Sequence, residues 1–199
     1  MQQAAGVAGR IGPNAIIQLA AVLGDRAGAA PVQRLFASAG MEHYLDSMPK
    51  EMVAETEVRA LHAALREQFG PACAQALARA AGRRTAGYLL ENRIPKPVQW
   101  LLRRLPKPIA VRILLKAIER NSWTFAGSGT FVAVHGRPAR LGITHNPLCR
   151  GLQVDEPACD FYAGTFEALF RALINPEAKV REVDCEAIGS EAGVFELEW

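Results

Sequence analysis

The stretch from residue 143 to residue 199 constrains the fold more than any other part of the chain. Apolar residues recur in its middle at intervals of three and four, the spacing of one buried helix face: Cys159, Tyr162, Phe166, Leu169, Phe170 and Leu173. Asp155 is expected to cap this helix and Pro157 to lie in its first turn. Asn175-Pro176 is expected to end it. The pattern predicts one well-buried helix.

Segments with strand character lie on both sides of that helix. Residues 123–134 are rich in aromatic and β-branched side chains, and a turn at 135–138 separates them from residues 139–144. After the helix, residues 179–188 and 194–197 flank a turn at Gly189-Ser190. Two hairpins beside one helix predict an antiparallel sheet. The fold class is therefore expected to be α+β, with a helical N-terminal half packed on this sheet and its helix.

The first half of the chain has helical patterns throughout. In the alanine-rich segment 72–92, Gly82 and Gly87 allow another helix to approach closely, either inside the chain or across a dimer interface. We expect a helical region over residues 1–92 and an α+β region over residues 93–199. At 199 residues the two are predicted to form one compact domain.

A short repeat joins the two regions. Ile94-Pro95-Lys96-Pro97 and Leu105-Pro106-Lys107-Pro108 each contain a proline pair that can start a helix. Between residues 93 and 120 the only acid is Glu119, against eight bases: Arg93, Lys96, Arg103, Arg104, Lys107, Arg112, Lys116 and Arg120. Both helices are amphipathic, which suits a membrane surface, a lid, or core packing with a basic exposed side.

Net charge and cysteine content limit the functional class of the protein and the compartment in which it is expected. A net charge of +3 is too small to predict nucleic-acid binding. The four cysteines lack the spacing of a small disulfide-linked domain, which favours a reducing compartment. No apolar run reaches the roughly 18–20 residues that span a bilayer. We expect a cytoplasmic protein.

Several motifs resemble the 4-vinyl reductase domain family, in its branch that acts in bacteriochlorophyll biosynthesis. The resemblance rests on residues 143–199 and on the runs GPNAIIQLAAVLG, AAGRRTAGYLLENRIPKPVQWLLRRLPKP and NSWTFAGSGTF. Members of the family that sense aromatic compounds have a Cys…Glu-x-x-Cys…Cys zinc site. The matching positions here are Cys159, Glu182, Cys185 and Gly193.

The resemblance therefore implies an incomplete metal site. Gly193 has no side chain, whereas a structural zinc site normally has four protein ligands. Cys149 or a water molecule could provide the missing fourth ligand. The alternative is that Cys159 and Cys185 are small buried apolar residues, which is common for free cysteine. From the sequence, zinc is not expected.

The family name implies reduction of a vinyl group in a divinyl chlorophyllide precursor. Such a reaction needs an electron donor, yet no G-x-G-x-x-G motif stands between a predicted strand and helix. Gly127-Ser128-Gly129 lies inside a predicted strand, and no closely spaced cysteines suggest an iron–sulfur cluster. We therefore predict no intrinsic cofactor and favour a carrier of a Mg-porphyrin over a reductase. A sensor of small aromatic compounds is the third hypothesis.

A tetrapyrrole site needs apolar walls, bases for the carboxylates and an axial ligand for the metal. The predicted walls are Trp100, Trp123, Phe125, Phe131 and Tyr162. His145 is the predicted axial ligand. The predicted carboxylate-binding residues are Arg83, Arg84 and Arg150, because a guanidinium group matches a carboxylate. Each residue taken alone is better explained by an ordinary role in the core or on the surface.

The expected partners follow from the same resemblance. They are the Mg-tetrapyrrole itself and an enzyme of the pathway, either the Mg chelatase or the methyltransferase that follows it. A peripheral contact with the photosynthetic membrane and a homodimer are further expectations, the latter by analogy with folds of this family that dimerise through helices.

Overall fold

The computed structural model describes residues 9–199 and has the expected α+β architecture. Its helices are α1 (Asn14–Ala27), α2 (Ala29–Ser38), α3 (His43–Asp46), α4 (Glu55–Phe69), α5 (Pro71–Asn92), α6 (Lys96–Arg104), α7 (Lys107–Arg120) and α8 (Asp160–Leu173). Its strands are β1 (Arg10–Ile11), β2 (Val53–Ala54), β3 (Thr130–Val134), β4 (Ala139–Thr144), β5 (Lys179–Asp184) and β6 (Gly193–Glu198).

The main sheet has the strand order β3-β4-β6-β5, and all neighbouring strands are antiparallel. Side chains alternate between its faces, so Leu141 and Ile143 of β4 point to the buried side. The predicted helix, α8, covers that side, and the ring of Phe166 lies 5.7 Å from that of Phe195 on β6. The predicted combination of antiparallel sheet and covering helix is confirmed.

The first predicted strand is shorter than the sequence suggests. Residues Ser122–Thr124 form a 3-10 turn after α7, and β3 begins only at Thr130. Gly127 lies between them with a φ of 60°, a left-handed conformation that interrupts an extended strand. The glycines at 127 and 129 are therefore part of a loop rather than of a strand, and the exposed Trp123 is in the turn.

Helices α5 and α8 cross so closely that their backbones touch. A Cβ atom on Gly82 would lie 2.0 Å from the carbonyl oxygen of Phe161, and one on Gly164 would lie 2.3 Å from that of Arg79. Gly82 thus serves close approach inside the chain, whereas a Cβ on Gly87 would meet no atom within 4 Å. This crossing joins the two regions predicted over residues 1–92 and 93–199, a division that stays a prediction.

The two proline pairs begin helices, as predicted. Pro97 and Pro108 lie in the first turns of α6 and α7, where a missing N–H leaves no helical hydrogen bond unmade. The buried faces of these helices include Leu102, Leu114 and Leu115. Within residues 9–199, every helix is too short or too polar to traverse a bilayer.

Candidate functional site

The N-terminus of α8 organises the candidate site. The helix begins at Asp160 with Cys159 as its N-cap residue, so the predicted start near Asp155 and Pro157 is wrong. The preceding loop bonds to other elements instead of continuing the helix. The backbone N–H of Val154 donates to the carbonyl of Ala187 at 2.9 Å, and the Pro157 carbonyl accepts a bond from a side chain on α5. These bonds draw the loop away from the helical conformation.

Three fully buried cysteines from three separate segments meet beside this helix start. Cys149 comes from the loop after β4, and Cys185 follows β5. The sulfur of Cys185 lies 3.7 Å from that of Cys149 and 3.9 Å from that of Cys159. All three sulfurs lie within 4.8 Å of one another, and none is in a disulfide. We refer to these residues as the thiol cluster; the fourth cysteine, Cys73, is exposed on α5.

The thiol cluster is electrostatically uneven. Hydrogen bonds from Cys149 and Cys159 lower the pKa of the Cys185 thiol. Burial raises the pKa of the Cys159 thiol. Burial also raises the pKa of the Glu182 carboxyl to about 9, and the charge of Cys185 adds to that effect. Within the cluster, ionisation is thus favoured at Cys185 and opposed at Cys159 and Glu182.

The predicted ligand Glu182 lies next to the thiol cluster. Its Oε2 accepts a 2.7 Å hydrogen bond from the backbone N–H of Cys159. Its Oε1 is buried and has no hydrogen-bond partner. Gly193 lies on the other side, where a Cβ atom would be 3.7 Å from that Oε1 and 3.0 Å from the side-chain nitrogen of Asn146. The predicted positions Cys159, Glu182, Cys185 and Gly193 are thus brought together.

Asn146 is the residue that the sequence did not reveal. Its side-chain nitrogen is 3.3 Å from the Cys159 sulfur, and its Oδ1 accepts a 3.0 Å bond from the backbone N–H of Leu148. The amide fixes the loop that brings Cys149 to the cluster. The only sequence signal for this role is the Asn146-Pro147 pair, which marks a turn between a strand and a cysteine.

Three of the predicted pigment walls form an aromatic core. Phe125 lies 5.3 Å from Phe131 and 6.0 Å from Tyr162, measured between ring centroids. The Tyr162 hydroxyl donates a 2.7 Å bond to the Phe125 carbonyl. Phe166 and Phe195 complete this aromatic cluster. Because the rings pack against one another, they fill the space that a macrocycle would need between them.

A polar network connects the end of β4 to the loop that follows Phe125. His145 is exposed at the end of β4, in a left-handed conformation with a φ of 52°. Its carbonyl accepts a 2.7 Å bond from Arg150, which also contacts the buried Glu55 at 3.3 Å. Glu55 in turn accepts 2.8 Å and 2.7 Å bonds from the backbone N–H and hydroxyl of Ser128. Through this network the structure brings His145 and Arg150 to the loop that precedes β3.

The remaining predicted binding residues lie elsewhere. Arg83 is 3.9 Å from Glu167 on α8, and Arg84 pairs with Asp25 on α1. Trp100 is on α6, and the nearby Arg103 bonds the carbonyl of Ala172 near the C-terminal end of α8. Trp100 therefore lies towards the C-terminal end of α8, whereas Phe125 is bonded to Tyr162 in its first turn. The nine predicted binding residues do not converge on one pocket.

Two concavities within residues 9–199 lie away from all nine of these residues. One is a narrow cavity of about 10 Å³ between α4, α5 and the loop before α8, lined in part by His62. The other is an open depression of about 420 Å³ lined by residues 153–155 and 187–189. A flat ligand at the aromatic cluster would consequently lie on the surface of the protein.

Comparisons with known proteins give consistent results. Residues 140–199 match the family model of the 4-vinyl reductase domain. The chain is 44% identical over 191 residues to the bacteriochlorophyll synthase 23 kDa chain of Cereibacter sphaeroides, covering 96% of this chain and 91% of that protein. It is 38% identical over 188 residues to the protein of the same name from Rhodobacter capsulatus, covering 94% and 86%.

The fold is similar to that of H-NOX proteins. An Fe(II) unliganded H-NOX protein from K. algicida superposes with a TM-score of 0.60 at 13% identity, covering 94% of this chain and 96% of that one. A second H-NOX structure, from a study of heme distortion, has a TM-score of 0.60 at 17% identity and covers 95% of both chains. At these identities the similarity concerns the fold alone.

Proposed function

Because the chain belongs to the family of the bacteriochlorophyll synthase 23 kDa chains, it takes part in bacteriochlorophyll biosynthesis, and we propose that it carries a Mg-tetrapyrrole intermediate to an enzyme of that pathway. The resemblance of its C-terminal part to the 4-vinyl reductase domain is confirmed by the family-model match. The partner enzyme would be the Mg chelatase, which inserts the metal ion and so supplies such an intermediate, or the methyltransferase that follows it.

One structural observation supports the carrier most directly. Of the predicted pigment residues, Phe125 accepts a hydrogen bond from Tyr162 in the first turn of α8, Arg150 bonds the carbonyl of His145, and Trp123 precedes Phe125 by two residues. The Trp123 side chain is 63% exposed, so its indole can stack on a flat ring without any rearrangement of the core. His145 offers an imidazole to the magnesium ion of the pigment. Arg150, whose guanidinium group bonds the His145 carbonyl, is near enough to His145 to bind a carboxylate of the same pigment.

The carrier is tested by titrating the chain with a Mg-porphyrin and following its absorption band. We expect His145→Ala to weaken binding about tenfold and to remove the band shift that axial ligation causes, since one good polar contact contributes about 1.4 kcal/mol. His135→Ala is the matched control, because His135 is also exposed but lies at the far end of the β3–β4 hairpin. Equal loss in both variants would contradict a ligand role for His145.

A second experiment with the same purified protein distinguishes a carrier from a reductase. Incubated anaerobically with a divinyl precursor and NADPH, a carrier binds pigment stoichiometrically and leaves the vinyl group unreduced. Turnover would overturn the carrier and establish the reductase of the family name. A bound flavin or nicotinamide in the purified chain would have the same consequence.

The surface of α6 and α7 supports a peripheral contact with an anionic membrane. Five large apolar side chains are more than 40% exposed there: Val98, Trp100, Leu101, Ile109 and Ile113. Basic residues surround them, and the guanidinium carbon of Arg104 lies 5.0 Å from the centroid of the Trp100 ring. Exposed tryptophan and aliphatic residues among bases are typical of a segment that lies in the interface of an anionic bilayer. The α6–α7 surface would thus hold a cytoplasmic carrier at the photosynthetic membrane.

We also propose that the protein is a homodimer. The face of α5 around Gly87 remains open, since a Cβ there would meet no atom within 4 Å, and a second copy could pack against it. Light scattering coupled to size-exclusion chromatography checks this proposal. A monomer at micromolar concentration would contradict it.

A further inference from the structure

The distances in the thiol cluster match those of a tetrahedral metal site. Zinc binds thiolate sulfur at about 2.3 Å, and two sulfurs in a tetrahedron around it are then about 3.8 Å apart. The two closest sulfur pairs in the cluster are 3.7 Å and 3.9 Å apart. The third pair is within 4.8 Å. The three sulfurs already have nearly the separation that one shared zinc ion requires.

We propose that Cys149 takes the place of the family's cysteine at position 193, where this chain has glycine, and so completes a zinc site with Cys159, Cys185 and Glu182. The site is independent of the pigment proposed above, since none of its ligands lines the pigment surface. Its ligand set also differs from the one that the family resemblance implies, because Cys149 replaces a cysteine at position 193.

Glu182 is suited to the fourth position because one of its oxygens is free. The backbone N–H of Cys159 holds Oε2, whereas Oε1 is buried without a partner. An unpartnered carboxylate oxygen in the protein interior is costly, and a metal ion would remove that cost. The acid is therefore held in place by one oxygen and available through the other.

Two neighbouring groups can stabilise the negative charge of the Cys159 sulfur once a metal ion is bound to it. Cys159 is at the N-terminus of α8, where the helix dipole stabilises negative charge. The side-chain nitrogen of Asn146 lies 3.3 Å from the Cys159 sulfur and can donate to it when it is ionised. Hydrogen bonds of this kind orient metal ligands and stabilise their charge. The site thus has ligands and a supporting contact.

Gly193 explains why the third thiol comes from a different segment. A Cβ atom at this position would lie 3.0 Å from the side-chain nitrogen of Asn146, so Asn146 occupies the space into which a cysteine at 193 would extend. The loop that contains Asn146 also contains Cys149. One loop therefore blocks the position on β6 and provides the replacement ligand.

Zinc would join three segments that are far apart in the sequence and that hydrogen bonds such as the one from the Cys159 N–H to Glu182 already bring together. These are the loop after β4, the start of α8 and the end of β5. Of them, β5 is an edge strand with a bulge between Glu182 and Asp184, and the loop contains no regular structure. A structural zinc site contributes folding free energy in such a place.

The test uses the full chain, purified without chelator and analysed by inductively coupled plasma mass spectrometry. We expect about one zinc ion per chain. Cys149→Ser should reduce the zinc content at least about tenfold, whereas Cys73→Ser, at the exposed cysteine, should leave it unchanged. In competition with a chelator, Glu182→Gln should bind zinc about tenfold more weakly than the wild type.

A second measurement does not depend on the folding of any variant. Cobalt(II) bound to the wild-type chain should give the absorption of a tetrahedral site, with a thiolate charge-transfer band whose intensity corresponds to about three sulfurs. A wild-type chain that contains no zinc and gives no such cobalt spectrum would overturn the proposal. So would a folded Cys149→Ser variant that keeps its zinc with unchanged affinity.

Discussion

The α8 region and the α6–α7 surface depart from the usual distribution of side chains in opposite directions. By the α8 region we mean α8 with the residues packed on its N-terminal half. There, polar groups are inside: the thiol cluster is fully buried, and Glu182 Oε1 and His62 Nε2 have no hydrogen-bond partner. On the α6–α7 surface, apolar groups are outside: Trp100 is 58% exposed and Ile109 is 49% exposed.

Both departures have the same physical meaning. A buried polar group without a partner and an exposed apolar group each cost free energy that a ligand could recover. The chemistry of the ligand differs, because thiols and a carboxylate attract a metal ion whereas indole and aliphatic groups surrounded by bases attract an anionic lipid surface. We therefore expect substitutions in the α8 region to change stability and those on the α6–α7 surface to change association.

The largest expected effect comes from the backbone contact between α5 and α8. Gly82→Ala should lower the free energy of unfolding by about 3 kcal/mol or more, because its Cβ would lie 2.0 Å from a backbone carbonyl oxygen that cannot rotate away. Gly24→Ala, inside α1, is the control and should raise the stability by about 1 kcal/mol, since alanine favours a helix and its Cβ would meet Val32 at an ordinary contact distance of 3.8 Å. Urea denaturation measures both; similar effects in the two variants would refute the tight crossing.

The next effect concerns the pH dependence of the α8 region. His62 packs its ring against Phe161 of α8, and burial lowers its pKa from 6.5 to about 4. Between these two pH values the unfolded chain binds a proton that the folded chain does not, so this contribution to stability is complete above pH 6.5 and is lost as the pH falls towards 4. The expected loss is on the order of 3 kcal/mol.

The measurement is the free energy of unfolding of wild type and His62→Gln between about pH 4 and pH 7. We expect the variant to lose most of the slope, whatever its stability at neutral pH. His135→Gln, at an exposed turn, should keep the wild-type slope. A slope that persists in His62→Gln would assign the pH dependence to other groups.

The smallest effect on stability is expected on the α6–α7 surface. Replacing Trp100, Ile109 and Ile113 together with alanine should change the free energy of unfolding by less than about 0.5 kcal/mol per residue, because these side chains are largely in solvent. The same variant should bind vesicles that contain phosphatidylglycerol about tenfold more weakly, since the inserted apolar area is lost.

A buried residue of the same segment provides the control. Leu102→Ala should cost about 2–5 kcal/mol in stability, because Leu102 is buried, and should leave vesicle binding unchanged at temperatures where the variant is folded. Binding of the wild type should also weaken with added salt and be weak on vesicles of phosphatidylcholine alone. Equal binding to both kinds of vesicle would contradict the membrane contact.

The elements that the sequence predicted well are those with a strong local pattern. The period of apolar residues from Cys159 to Leu173 located α8, and the proline pairs located the starts of α6 and α7. The start of α8 was placed too early because Asp155 and Pro157 have the residue types of a helix start. Their loop instead bonds to residues after β5 and on α5 that are distant in sequence.

In the candidate site, too, the sequence predicted what depends on local spacing and missed what depends on the packing of distant segments. The spacing of Cys159, Glu182 and Cys185 indicated ligand positions, and the structure brings them together. Whether Cys149 or water would fill the vacancy could not be decided from spacing, because that depends on how the loop after β4 folds around Asn146. Phe125 and Phe131 were identified as aromatic walls, but only packing shows that their rings contact each other.

The sequence by itself determined the α+β class, the helix starts at the proline pairs and the pathway suggested by its motifs, because these depend on residues close together in the chain or on whole motifs. Tertiary structure alone decided that three thiols meet, that the predicted walls fill their own space and that Trp123 stays at the surface. Local patterns report which side of an element is buried. Which buried side chains meet depends on how segments distant in sequence pack together. Contacts such as that between Gly82 and the Phe161 carbonyl decide this packing, and the spacing of residues within one element does not predict them.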